Sequence, residues 1–301
     1  MQRLLGIVLV VFSLAASGTT VVAQQKPKYV AVCSTTQVAD FTRQIVGDRW
    51  EVRCILAPGQ DPHLYQVTPN DGRTIADADL CLENGWHLEG KDWMRVLAAD
   101  ARKPIVACAN GIEPILLDDQ GVEFHDPHAW FTPRNAGIYV RNILNAVSQI
   151  DSENQQEYQA RAQLYLEQLR ALHVWIVRQC NAIPVNKRKL VTSHDAFNYF
   201  CHEYGFESKA PAGWSTGQEI GAGVTPARRR ETIDSIREFG VKAIFVETSV
   251  NPTLIEEIAR EAGVNVGGKL YSDSMGGSGT AGETYIGMMR ENVLTIVHAL
   301  K

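Results

Sequence analysis

The feature that most restricts how this chain can fold is a central segment without glycine or proline, residues 152–180 of 301. The segment is rich in Gln, Glu, Ala, Leu and Arg, which favour helices, and Ser152 with Gln155 offers a capping box at its start. At 1.5 Å per residue, such a helix is about 40 Å long. We predict a stiff rod that joins two lobes, with an ordinary long surface helix inside one domain as the alternative.

Strand-like and helix-like stretches alternate on both sides of this segment. The predicted strands are 29–33, 50–56, 78–83, 104–107, 189–192, 243–247 and 264–266. One helix is predicted to begin after Thr36, and the other predicted helices cover 69–78, 91–101, 195–204, 226–239, 252–262 and 284–300. Such alternation predicts parallel sheets with helices on both faces. The expected fold class is therefore α/β, with an N-terminal α/β lobe at 24–150, a linking helix at 151–182 and a C-terminal α/β lobe at 183–301.

The first residues predict export from the cytoplasm. Arg3 precedes an apolar run at 4–16, and small residues up to Ala23 offer a signal-peptidase site, so we expect a signal peptide at 1–23. The apolar run is too short for a membrane anchor. No cysteine lies near this cleavage point, so we expect no lipid attachment there and a soluble, monomeric periplasmic protein. A net charge of -5 argues against a nucleic-acid partner, and no later stretch is long and apolar enough to span a membrane.

The cysteine count is even, at six, which would permit disulfides in an oxidising compartment. Cys33, Cys54, Cys81 and Cys108 each lie in or beside an apolar strand-like run, where a cysteine behaves as a small buried hydrophobe. We therefore expect mostly free, buried thiols. Cys180 with Cys201 is the pair that we would test first as a disulfide.

Three histidines and one aspartate lie in segments suited to metal binding. His194 follows a predicted strand, at the sheet edge where α/β folds bind ligands. His63 and His128 share the context Asp-Pro-His, in which proline restricts the backbone and the aspartate can orient the loop or the ring. Asp273 lies between two serines, before a glycine-rich turn. Each alone would be an ordinary loop residue, but three imidazoles and one carboxylate form a ligand set for a divalent transition metal.

These segments resemble the four binding motifs of the TroA-like zinc and manganese solute-binding proteins of ABC importers. The motifs are Leu-Ala-Pro-Gly-Gln-Asp-Pro-His-Leu-Tyr at 56–65, Asp-Pro-His-Ala-Trp at 126–130, Val-Thr-Ser-His-Asp-Ala-Phe at 191–197 and Leu-Tyr-Ser-Asp-Ser-Met at 270–275. The resemblance covers nearly all of the expected mature chain, in order. It departs from many zinc-binding members in one respect, since residues 113–125 are short and hold only one histidine.

The resemblance implies both a fold and a function. It implies two lobes, each a parallel sheet flanked by helices, bridged by one long backbone helix, with a metal cleft between the lobes. His63 and His128 would be the ligands from the N-terminal lobe, and His194 and Asp273 those from the C-terminal lobe. The transported ligand would be Zn²⁺ or Mn²⁺, and the partners would be the membrane permease of the importer and its ATPase.

A secreted metalloenzyme, a hydrolase with the same ligands, is the main alternative. A catalytic zinc site keeps an open position beside three protein ligands, whereas four protein ligands close a tetrahedral shell. No H-E-x-x-H arrangement is present, so a binding protein is favoured over an enzyme. A chelated metal or cobalamin would suit inward histidines less well than a bare ion.

Other motifs and histidines have ordinary interpretations. Residues 213–217 match the G-x-S-x-G pattern, but no apolar strand leads into them, so we interpret the match as chance. His125 and His87 are the remaining histidines best placed to assist metal capture. We expect ordinary helix positions for His173, His202 and His298, with His173 and His298 facing solvent.

Overall fold

The structure is a computed structural model, and it describes residues 29–119, 122–209, 226–249 and 252–301. The predicted signal peptide at 1–23 and the G-x-S-x-G match at 213–217 lie outside these residues. Among the described residues, no helix is both long and apolar enough to cross a membrane.

A four-stranded parallel sheet forms the centre of the N-terminal half. Its strands are β1 Tyr29–Cys33, β2 Trp50–Cys54, β3 Leu80–Glu83 and β4 Ile105–Ala107, in the order β2-β1-β3-β4. Successive side chains of a strand point to opposite faces. Ala31 and Cys33 accordingly join one hydrophobic cluster, and Val32 joins another on the other face. Both faces of this sheet are therefore covered.

Three helices connect these strands, and local sequence explains where they begin. They are α1 Thr36–Val46, α2 Pro69–Ala76 and α3 Trp93–Asp100. The Thr35 side chain caps α1 by accepting a hydrogen bond from the Val38 amide, and Thr68 and Asp71 form a capping box at the start of α2. α1 packs on one face of the sheet through Phe41, and α3 packs on the other through Met94.

The predicted central helix is present as α5, Gln155–Cys180, and its 26 residues make it about 39 Å long. The predicted capping box at Ser152 is wrong, because residues 152–154 form a separate 3-10 turn and no side chain caps α5. Its buried residues recur every three or four positions, from Tyr158 to Cys180. This face packs on α1, on α4 Pro133–Ile150 and on α9 Tyr285–Leu300. α5 therefore shares a core with both halves of the chain.

α4 was not predicted from the sequence, since its first turns contain Pro133 and Gly137. Proline is tolerated at the first position of a helix, where its missing N–H has no partner to lose. At Gly137, an added Cβ would lie 3.2 Å from the Leu166 side chain of α5. The glycine therefore allows α4 to approach α5 closely.

The C-terminal half contains parallel strand pairs and further helices. β7 Lys189–Val191 pairs with β8 Glu207–Lys209, and β9 Ala243–Glu247 pairs with β10 Asn265–Leu270. The helices are α6 Asn198–Tyr204, α7 Pro226–Phe239, α8 Pro252–Ala262 and α9. In the N-terminal half, Leu116–Asp119 and Val122–His125 form an unpredicted antiparallel strand pair, β5 and β6.

β10 continues past its predicted end at residue 266, through two glycines that allow close packing. A Cβ on Gly267 would lie 2.8 Å from the Phe245 ring and 2.9 Å from the Ala299 side chain of α9. The register of its pairing with β9 also shifts between Val266 and Gly268. With parallel sheets, flanking helices and one long helix, the α/β fold class is confirmed.

All six cysteines are free thiols in the structure, as expected for most of them. Cys54 is partly buried and the others are buried. Cys180 and Cys201, the pair proposed for testing, are among the free thiols. Burial raises the pKa of each of these two thiols to about 12, so both stay protonated at neutral pH.

Candidate metal centre

The two Asp-Pro-His triplets fold in the same way. The Asp61 carboxylate accepts a hydrogen bond from the His63 amide at 2.8 Å, and Asp126 accepts one from the His128 amide at 3.0 Å. An aspartate that binds the amide two residues ahead forms an Asx turn. This turn reverses the chain at the proline and directs each imidazole toward the same point.

His194 and Asp273 reach that point from the C-terminal half. His194 follows β7, where its amide donates to Glu247 Oε1 at 3.0 Å and its carbonyl accepts from Thr192 Oγ1 at 2.7 Å. Asp273 follows β10. Both positions lie beyond the carboxyl ends of parallel strands, where α/β sheets place their binding sites.

The structure brings all four predicted residues together. His128 Nε2 lies 3.3 Å from His63 Nε2 and 3.3 Å from His194 Nε2. The Asp273 carboxylate lies 3.3 Å from both His128 Nε2 and His194 Nε2, and 3.9 Å from His63 Nε2. One ligand atom from each residue falls within 4.8 Å of all the others. His128, His194 and Asp273 are buried, and the His63 side chain is 9% exposed.

These distances fit a tetrahedral metal ion. With metal–ligand bonds of about 2.0–2.1 Å, the ligand atoms of a tetrahedron lie about 3.3–3.4 Å apart. Four of the five separations given above match this spacing, and the separation between His63 and Asp273 is longer. Asp273 approaches His128 through Oδ1 and His194 through Oδ2. Asp273 Oδ1 is buried and makes no hydrogen bond of good geometry to the described residues, although His128 Nε2 lies 3.3 Å away. Buried carboxylate oxygens normally have a hydrogen-bond or ionic partner. A cation between Asp273 and the three rings would supply that partner.

Two carboxylates orient the histidine rings. His128 Nδ1 is hydrogen-bonded to Asp126 Oδ1 at 2.7 Å, and His194 Nδ1 lies 2.6 Å from Glu247 Oε2, a close ion pair without hydrogen-bond geometry. A carboxylate at Nδ1 favours the tautomer that carries its proton there, which leaves the Nε2 lone pair free for a metal. Asp126 was predicted to have this role from its motif. Glu247 was missed, and its only sequence signal is an acidic residue at the end of an apolar strand.

The charges of the site are strongly coupled. Burial lowers the pKa of His63 to about 3, so this ring is neutral at physiological pH. For His128, burial favours the neutral ring, but the carboxylates of Asp126 and Asp273 outweigh it and raise its pKa to about 9. Burial alone would raise the pKa of Asp273, but His194 and His128 hold it well below its usual range. In the absence of a metal, protons on the rings thus compensate the carboxylate, and a metal ion must displace them.

The Asp273 loop is also attached to the start of α1. Gln37 Nε2 donates to the Ser272 carbonyl at 3.0 Å, and the Met275 amide donates to Thr36 Oγ1 at 2.8 Å. These contacts hold Ser272 and Met275, which lie on either side of Asp273. Thr36 and Gln37 were missed by sequence analysis, because nothing local distinguishes them from other residues of a first helical turn.

The other histidines do not join this cluster. His125 is exposed, with its ring centroid 5.2 Å from that of Trp86, and His87 is exposed beside Asp92 at 3.2 Å. His202 and His298 are exposed. The expectation for His173 is wrong, since this ring is half-buried, with Nδ1 3.2 Å from the Tyr204 hydroxyl. Within the part of the chain that the structure describes, no second group of three or more potential ligands is found.

Comparison with known proteins identifies the family. The family model for ZnuA, described as zinc-uptake complex component A, periplasmic, matches residues 31–299. The chain belongs to this family. Membership confirms the resemblance to TroA-like metal-binding proteins that the four motifs indicated.

Named relatives are similar to this chain over nearly its whole length. The manganese-binding lipoprotein MntA of Bacillus subtilis (strain 168) is 36% identical over 298 residues, which cover 96% of this chain and 96% of the relative. The zinc-binding protein TroA of Treponema pallidum (strain Nichols) is 34% identical and covers 96% of this chain and 94% of the relative.

The solved structure of the periplasmic zinc-binding protein TroA from Treponema pallidum aligns with a TM-score of 0.83 and 32% identity, over 91% of this chain and 99% of that one. A manganese-bound periplasmic metal-binding protein from Candidatus Liberibacter asiaticus aligns with a TM-score of 0.80 and 30% identity, over 91% of this chain and 100% of that one.

Proposed function

We propose that this chain is a periplasmic substrate-binding protein that captures one divalent transition-metal ion, zinc or manganese, and delivers it to an ABC-type importer. The observation that carries the proposal is the convergence of three imidazole nitrogens and one carboxylate oxygen within 4.8 Å of one another. The proposed ligands are His63, His128, His194 and Asp273. The metal is cargo, so the site must hold it selectively and later release it.

A binding role suits this geometry better than catalysis. Four protein ligands complete a tetrahedral shell and leave no open position for a reactive water. Three of the four side chains are also buried, which restricts access of a substrate to the metal. Relatives described as manganese-binding and zinc-binding support the same conclusion.

The proposed partners follow from the relatives. One is described as a manganese ABC transporter substrate-binding lipoprotein, from Streptococcus pneumoniae. We infer that this chain docks on a membrane permease driven by an ATPase and acts outside the cytoplasmic membrane, exported through residues 1–23. The chain would act as a monomer with its N-terminal, linking and C-terminal parts at 24–150, 151–182 and 183–301.

A titration on chelator-treated protein tests the proposal. Equilibrium dialysis with zinc should give one bound ion per chain. At a thousandfold excess of metal over Kd, binding to the folded state alone adds about 4 kcal/mol of stability, so the thermal midpoint should rise by several degrees. His63→Ala should lose this shift, whereas His298→Ala, on the exposed side of α9, should retain it. Identical melts with and without metal would contradict the proposal.

A further inference from the structure

The loop between β3 and α3, residues 84–92, contacts the backbone of both ligand-bearing Asp-Pro-His turns. It belongs to neither turn and supplies no proposed ligand. We call it the β3–α3 loop.

Gly90 of this loop packs directly on the first turn. A Cβ at this position would lie 2.1 Å from the His63 carbonyl oxygen and 3.0 Å from the His63 carbonyl carbon. No side chain can occupy that space unless the backbone of His63 moves. Trp93, the residue after the loop, donates its indole N–H to the Pro62 carbonyl at 3.1 Å. The backbone of Pro62 and His63 is therefore held from two sides.

Asn84, at the other end of the loop, holds the second turn. Its side-chain amide donates to the Pro127 carbonyl at 3.0 Å, next to His128, and its carbonyl accepts from the Tyr139 hydroxyl at 2.5 Å. Asn84 is buried. The position of His128 relative to the loop is thus set by a hydrogen bond that little solvent can compete for.

Glu89 fixes the shape of the loop between these contacts. Its Oε1 accepts from Ser34 Oγ at 2.6 Å and from the Asn84 amide at 2.8 Å, and its Oε2 accepts from the Gly85 amide at 3.2 Å. The residue is only 2% exposed. One buried carboxylate therefore links the end of β1 to both backbone amides that open the loop.

The backbone of the loop is strained, which indicates that surrounding contacts impose its shape. Trp86, His87, Lys91 and Asp92 all have positive φ, between 53° and 61°. Non-glycine residues adopt this region at a cost in energy and persist there only when other interactions require it. The contacts of Gly90, Asn84 and Glu89 are those interactions.

We propose that the β3–α3 loop sets the distance between the imidazoles of His63 and His128, with Gly90 and Glu89 as positioning residues of the metal site. The inference rests on the proposed function, because it assigns the loop a role in that same site. A loop that merely stabilised the fold would affect the melting temperature but not the geometry of a bound metal. Ligand spacing is the property that distinguishes the two roles.

The main test compares Gly90→Ala with Gly72→Ala, in full-length chelator-treated protein. Gly72 lies in α2, where an added Cβ would meet nothing within 4 Å. Cobalt(II) is the probe, since its visible absorption is strong in a tetrahedral site and weak at higher coordination, and zinc affinity is measured by competition. Gly90→Ala should bind zinc about tenfold or more weakly and show a weakened, shifted cobalt spectrum. Gly72→Ala should match the wild type in both.

A second pair of variants tests Glu89. In Glu89→Gln, the amide NH₂ must face either the Gly85 amide or the Ser34 and Asn84 donors, so a donor meets a donor. We expect weaker zinc binding and an altered cobalt spectrum, whereas Glu113→Gln, at an exposed position, should behave as the wild type. If Gly90→Ala is not recovered folded, Trp93→Phe decides instead, because it removes the bond to Pro62 and keeps an aromatic ring.

The outcomes separate this inference from the proposed function. A wild type that binds neither cobalt nor zinc would refute the proposed function. A wild type that binds both, with Gly90→Ala or Trp93→Phe equal to it in affinity and spectrum, would refute the positioning role alone.

Discussion

At the scale of single residues, His194 gives the site its nitrogen-rich character. Three imidazoles and one carboxylate favour zinc, copper or nickel, whereas manganese prefers more oxygen ligands. The His194 ring is buried, and its Nε2 lies 3.3 Å from both His128 Nε2 and the Asp273 carboxylate. A change at this residue should therefore alter selectivity as well as affinity.

We expect His194→Glu to narrow the ratio of zinc affinity to manganese affinity, because it replaces a nitrogen ligand with oxygen. His194→Ala should weaken the binding of both metals, and His202→Ala, exposed on α6, serves as the control. Competition titration with each metal measures the ratio. Wild-type binding of both metals by His194→Ala would show that His194 is not a ligand.

We expect Glu247 to act on a bound metal through His194. In Glu247→Gln, the side-chain NH₂ must face either the His194 backbone amide or His194 Nδ1. At the backbone amide, two donors oppose each other, and at Nδ1 the NH₂ favours a ring whose proton is on Nε2. Zinc affinity should fall about 10- to 100-fold. Glu256→Gln, at an exposed site on α8, is the matched control. Equal zinc affinities for the two variants would show that Glu247 does not tune the ligand.

At the scale of elements, the start of α1 and the Asp273 loop behave as one unit. Thr36 lies in the N-terminal half and Met275 in the C-terminal half, yet their hydrogen bond is 2.8 Å long and buried. The Tyr285 amide at the start of α9 likewise donates to Asp40 Oδ2 of α1 at 3.0 Å. The loop that carries Asp273 is therefore attached to α1, the helix that packs on one face of the N-terminal sheet.

Thr36→Val tests this attachment. Valine has nearly the same shape but cannot accept the bond from the buried Met275 amide, so we expect metal-free protein to lose about 1–3 kcal/mol of unfolding free energy. Zinc affinity should fall as well, since Asp273 loses a constraint. Thr74→Val is the control, because its hydroxyl bonds only within its own helix, to the Asn70 carbonyl. Urea titration measures the stability, and equal losses in both variants would contradict the prediction.

At the scale of the whole molecule, a continuous core limits how far the N-terminal and C-terminal halves can rotate apart. The Phe41 ring of α1 lies 4.8 Å from Tyr285 of α9, 5.7 Å from Tyr139 of α4 and 6.4 Å from Tyr165 of α5. These aromatic rings come from both halves and from the linking helix. A large rotation between the halves would have to break this packing.

Metal binding should therefore order the loops around His194 and Asp273 more than it changes the overall shape. Small-angle scattering of metal-free and zinc-bound protein should give radii of gyration that agree within about 1 Å. His63→Ala with added zinc provides the baseline for effects of the ion itself. A large compaction on zinc binding by the wild type alone would show a hinge closure and contradict the prediction.

Seven of the ten described strands, all but β5, β6 and β8, and the four proposed ligands could be predicted from the sequence, because both depend on neighbouring residues. Strands such as 29–33 and 243–247 are short apolar runs with both faces buried. The two Asp-Pro-His triplets contain the aspartate that turns the backbone at His63 and His128. Parallel pairing then places the carboxyl ends of the strands at a common edge, so local patterns were enough to select the four residues that the structure brings together.

Only the tertiary structure could identify the residues that hold the ligands in place. Sequence patterns are recognised in windows of about 11–18 residues. Glu247 binds the His194 amide across 53 positions, and Gln37 binds the Ser272 carbonyl across 235. Gly90 resembles any loop glycine until the His63 carbonyl is seen where its Cβ would be. Such contacts depend on how the complete core packs, and no local pattern carries that information.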